Sequence, residues 1–113
     1  MTALEHVSIT MPSLSLKING EYRVFNPDDA NNVTIKFNDG RNLVLTVENT
    51  GMDNQVEDFM YRGRYQDPSG EFTPGGHTFG TKTQMTNALE LIIASMAANG
   101  TTVLNGDIYV IAT

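Results

Sequence analysis

Apolar and polar residues alternate through the first half of the chain. Val7, Ile9 and Met11 alternate with Ser8 and Thr10 ahead of Pro12, which is the period of a half-buried strand. LSLKINGEYRVF, residues 14–25, predicts a hairpin. A loop of Ile18-Asn19-Gly20 pairs Leu16 with Tyr22 and Leu14 with Val24, and sets Lys17 across from Glu21 as an ion pair. A shorter Asn19-Gly20 loop puts Leu16 against Arg23, so the alternation favours the longer loop. NPDDANN, residues 26–32, is turn-rich. A second hairpin follows, with Val33, Ile35 and Phe37 on one face continued by Leu43, Leu45 and Val47 across an Asn38-Asp39-Gly40 loop. Val44 is the odd apolar residue on its other face. After Gly51 the pattern weakens, and we read a strand from about Glu57 to Gln66.

The period changes near residue 83. Met85, Ala88, Leu89, Ile92, Ile93, Met96 and Ala97 recur at i, i+3 and i+4, which predicts an amphipathic helix over 83–99. Thr83 is positioned to cap its start and Asn99-Gly100 to stop it. The stretch before it, DPSGEFTPGGHTFGT at 67–81, predicts a long loop or extended arm, a type of connection that tends to be functional. TTVLNGDIYVIAT closes the chain as one bent strand or a hairpin at Asn105-Gly106. The fold class expected is mainly β (α+β): one domain over 1–113, a small antiparallel β-sandwich or partly open barrel, with one helix near 83–99.

Composition then narrows the function. Seven Lys and Arg stand against thirteen Asp and Glu, a net charge of −6. The cations are scattered, with only Arg62 and Arg64 close together, so binding to a nucleic-acid backbone is not expected. No apolar run approaches the roughly 20 residues that span a bilayer, and the first residues do not read as a signal peptide. The expected location is the cytoplasm or a particle assembled there. Cysteine is absent, which removes disulfides, thiolate nucleophiles and sulfur-ligated metals.

GGHTFGTKTQ, residues 75–84, resembles a phosphate loop because Gly75 and Gly80 have the right spacing. Thr81, however, is inserted before Lys82, and Pro74 stands where a buried strand should lead in. His77 has no nucleophile in a suitable context beside it. Asp28, Asp29, Asn31 and Asn32 offer oxygen ligands without the glycine and distal glutamate of a calcium loop, and Asp53, Asn54, Glu57 and Asp58 show no recognisable ligand spacing. No cofactor, metal or catalytic set is expected.

Two features point to protein contact. Tyr61, Arg62, Arg64, Tyr65, Phe72 and Phe79 interleave aromatics with arginine, as interfaces do. Opposite the helix's apolar stripe lie Asn87, Leu91, Ala94, Ser95 and Ala98, a face without charge where a solvated helix carries several Lys and Glu, so the expected cover is another subunit or partner, or else the 67–81 arm folded back over it. The function expected is a non-catalytic, self-associating building block, a description that small virus or phage particle components share. The alternative is a small acidic inhibitor or immunity-type protein that binds a basic surface on its target. A third reading is a minor enzyme or anion-binding domain centred on His77 and Lys82.

Overall fold

The structure is a computed structural model that describes residues 10–49 and 59–109. The expected strand at Val7 to Met11 and the acidic cluster around Asp53 fall mostly or wholly outside those residues. In chain order the described elements are β1 (Leu14–Ile18), β2 (Glu21–Phe25), β3 (Val33–Lys36), β4 (Asn42–Asn49), β5 (Phe59–Gln66), β6 (His77–Phe79), α1 (Lys82–Ala98) and β7 (Asp107–Tyr109). They form two antiparallel sheets, ordered β1-β2-β7 and β3-β4-β5-β6. The fold is mainly β with one helix, and its ladder does not close into a barrel.

One core lies between the layers. Leu14, Leu16 and Phe25 enter it from the first sheet, and Val33, Ile35, Phe37, Leu43 and Leu45 from the second. Met85, Leu89 and Ile93, one stripe of α1, complete it with Met11 and Val103. Each such side chain stabilises the fold by about 1.5–3 kcal/mol relative to its exposed state.

The second hairpin follows the alternation, with Val33 opposite Leu45 and Ile35 opposite Leu43. The first does not. Leu14 pairs with Phe25, Leu16 with Arg23 and Ile18 with Glu21, so the loop is the shorter Asn19-Gly20. Both residues have positive φ, 53° and 82°, which is the turn whose twist matches flanking strands. An arginine takes a core-side position because it has partners there. Its guanidinium donates to Val103 O at 3.1 Å and Gly106 O at 3.5 Å. Tyr22 and Val24 turn to the other face, and Lys17 stands 5.9 Å from the Tyr22 ring centre instead of opposite Glu21.

Those carbonyls belong to a segment that bends between the sheets. Val103 bridges Phe37, Leu104 N–H donates to Lys36 O at 2.7 Å, and the Asn105 side chain bonds both Lys36 N–H and Thr34 O at 2.7 Å. Past Gly106 the chain joins β2 as β7. It is a bent strand, not a hairpin.

On the opposite side α1 stands between β1 and β6 and packs against both. Glu90 Oε2 accepts the Lys17 backbone N–H at 2.7 Å, which satisfies a donor on the β1 edge. The helix starts one residue earlier than expected and is capped by Thr81, not Thr83. Thr81 is extended (φ −141°, ψ 159°) and its Oγ1 accepts Gln84 N–H at 3.0 Å, while Gln84 Oε1 reaches back to Gly80 N–H at 3.1 Å. Thr83 is already helical and cannot play that part. Lys82 therefore joins Glu90 as a second helical charge. At the other end Gly100 N–H bonds Ala97 O at 3.0 Å and Thr101 N–H bonds Met96 O at 2.9 Å, the paired bonds of a glycine stop.

The 67–81 stretch is not an extended arm. Asp67 Oδ1 accepts from Ser69 and Glu71 backbone N–H at 2.9 and 3.1 Å, which closes a tight turn. Phe72 bridges Gln66, and β6 then runs along β5. The chain spends this segment on a fourth strand of the sheet.

Candidate interaction surfaces

The side chains expected at an interface separate into three places. Tyr61, Tyr65 and Phe79 lie on the inner face of the second sheet, in register with Val47 and Leu43, and pack half-buried on the core. Tyr65 Oη lies 3.1 Å from His77 Nε2, their rings meet edge to face at 5.4 Å, and His77 stacks on Phe79 at 6.1 Å. Burial raises the Tyr65 phenol above its ordinary pKa, and the nearby Arg41 partly offsets that. These aromatics serve the fold. The structure does not bring them to one surface with the arginines.

Arg62, Arg64 and Phe72 occupy the outer face of the same sheet and are exposed. The Arg64 guanidinium lies 4.2 Å from the Phe72 ring centre, a cation–π contact that covers part of an exposed ring. Arg62 approaches Glu48 at 3.8 Å, both about half exposed, so that pair contributes about 0–1 kcal/mol. Arg62, Arg64, Gly75, Gly76 and Thr78 border a shallow trough of about 240 Å3.

The third place is the outward face of α1. Asn87, Leu91, Ala94 and Ala98 are all exposed there, together with Ser95, and Leu91 is 75 % exposed. The 67–81 segment does not cover this face, since it lies along β5. Sequence reasoning missed a further apolar set, Leu104, Ile108 and Tyr109, which are 61, 57 and 56 % exposed. The signal available was the absence of Lys and Arg after Lys82.

The chemistry-bearing residues are occupied otherwise. At the start of α1, Thr81 Oγ1 accepts the Gln84 N–H and Gln84 Oε1 accepts the Gly80 N–H, and His77–Phe79 is extended strand. Asp28 Oδ1 accepts Ala30 and Asn32 N–H at 2.9 and 3.0 Å, so it builds its own turn. Hydrogen bonds from the Arg41 backbone hold Asp39 below the usual carboxylate range, and the Ser69 hydroxyl does the same for Asp67. Among the described residues no three His, Asp or Glu side chains converge as metal ligands, and no helix is long and apolar enough to cross a membrane. Comparison with protein-family models, curated proteins and solved structures finds no match.

Proposed function

We propose that this chain is a non-catalytic interaction protein that self-associates as a building block of a larger assembly, of the kind found in virus or phage particles. One observation carries the reading: Leu91 projects 75 % exposed from a helical face that otherwise holds Asn87, Ala94, Ser95 and Ala98. A leucine ringed by small uncharged residues gives a second helix close approach without desolvating a charge. The same face on a second copy meets it in an isologous pair. The absence of cysteine provides a clean test, because Leu91→Cys adds a single attachment point for a spin label. Self-association predicts that the label's motion slows as protein concentration rises, while a label at Ser69→Cys, on the exposed turn, stays mobile. Equal mobility at both positions over all concentrations refutes the reading.

The net charge of −6 favours a second reading, an acidic inhibitor that binds a basic surface on another protein. That reading predicts a concentration-independent monomer whose binding to a basic partner weakens with salt.

A further inference from the structure

Charge is divided unevenly over this molecule. In the second sheet the outward positions are Thr34 and Lys36 on β3, Asn42, Val44, Thr46 and Glu48 on β4, Met60, Arg62, Arg64 and Gln66 on β5, and Thr78 on β6, as the pairing register requires. Three cations and one carboxylate give this face +2. The chain total is −6, so everything else carries −8. Three of the seven Lys and Arg are therefore on one face of an acidic protein. Of the other four, Arg23 is bonded to backbone carbonyls, Arg41 is paired with Asp39 at 2.7 Å, Lys17 lies over Tyr22 and Lys82 opens α1.

The trough beside Arg62 and Arg64 is shaped by two glycines. Gly63 pairs with His77, which places Gly76 next to Arg64, and a Cβ at Gly76 would stand 2.6 Å from Gly63 O. Gly75 and Gly76 thus line the trough without side chains, beside Arg62, which lies 3.8 Å from Glu48, and Arg64, whose guanidinium stacks on Phe72. Arginines two apart on a strand point the same way and present forked donors suited to carboxylates.

A complementary surface lies elsewhere on the same chain. Asp28 and Asp29 are adjacent and exposed in the corner turn between β2 and β3. Asp28 Oδ1 accepts the turn's own N–H groups, and Asp29 is exposed beside it. β3 lies two strands from β5, which carries the arginines, about 10 Å away. Among the described residues no ion pair joins the acidic corner to its own trough. The corner of a neighbour can meet it.

We propose that the Arg62–Arg64 trough docks the Asp28–Asp29 corner of a second copy, forming a head-to-tail contact distinct from the pairing through α1. This rests on the self-association reading and adds to it. Two unlike surfaces meet, so the contact propagates into a ring or filament instead of stopping at a pair. Its strength depends on salt, because the Debye length falls from about 10 Å at 0.1 M to about 3 Å at 1 M.

Sedimentation velocity across that salt range tests it, with circular dichroism as the control for folding. The wild type should form species larger than a dimer at low salt that shrink to dimer at high salt. Arg62→Glu combined with Arg64→Glu should weaken the larger species at least about tenfold and leave the dimer intact. Asp29→Lys should do the same, and mixing the two variants should restore assembly. A wild type that stops at dimer in low salt overturns the head-to-tail contact while the α1 pairing stands. Larger species that ignore the arginine reversal also overturn it, and an unaffected Asp29→Lys overturns the choice of corner. If salt-dependent assembly persists in Leu91→Glu with its mass unchanged, the α1 reading fails and the trough contact survives.

Discussion

Gly106 is where the last described segment crosses from one sheet to the other, and replacing it with alanine tests that geometry. Its φ is +106°, and an added Cβ would lie 2.6 and 2.8 Å from Cε2 and Cζ of the Phe25 ring. Phe25 is only 3 % exposed, so the ring has little room to withdraw. Two costs combine. Left-handed backbone in a residue with a Cβ costs about 1–2 kcal/mol, and overpacking against a fixed ring adds about 1–3 kcal/mol. The smaller unfolded-state entropy of alanine returns about 0.4–1 kcal/mol. The net expectation is a loss of about 1–5 kcal/mol, centred on about 3. Gly70→Ala separates the terms, because Gly70 has φ +92° with nothing within 4 Å of an added Cβ, and should lose only about 1 kcal/mol. Urea unfolding followed by circular dichroism measures both, and an unchanged slope shows that only stability has moved. For a domain of this size the Gly106 variant should also melt about 10 °C lower. Equal losses for the two variants would show that the Phe25 contact is not as close as described.

Thr81→Ala should cost about 1 kcal/mol in urea unfolding, whereas Thr83→Ala should cost less than half of that, since only Thr81 caps α1. Glu90→Ala removes the acceptor for Lys17 N–H and should destabilise by about 1 kcal/mol, with faster hydrogen exchange at the Lys17 amide as the direct sign. Tyr65 has a raised folded pKa, so its contribution is fully present below the ordinary phenol pKa and is lost as pH rises through the folded value; Tyr65→Phe should flatten that alkaline limb of stability. Asp39 and Asp67 have depressed folded pKa values, so their contributions are present above the ordinary carboxylate pKa and fade as pH falls through the folded ones. Asp39→Asn and Asp67→Asn should each flatten the acid limb.

The elements most legible in the sequence were those whose period and partners are local. The second hairpin could be read because Val33, Ile35, Leu43 and Leu45 alternate on both strands and Gly40 fixes the loop. The helix was legible because its stripe repeats over four turns. The first hairpin slipped because Tyr22 and Val24 look like core residues, and nothing local reveals that Arg23 finds carbonyls some eighty residues away. Residues 67–81 looked like an arm because Gly and Pro dominate them, while their pairing to β5 is non-local. The interface expectation grouped residues adjacent in sequence, and strand alternation then divided them. Tyr61 and Tyr65 turned inward, Arg62 and Arg64 outward. The helix's blank face needed no long-range information, since opposite sides of a helix are set by its period alone.

That face carries the central claim, and solution mass tests it most directly. Light scattering over a wide concentration range, on the wild type and on Leu91→Glu, should show a self-associated wild type and a dissociated variant with the same circular dichroism and unfolding midpoint. A wild type that is monomeric at every concentration, or an assembly that tolerates a glutamate at residue 91, would contradict the claim.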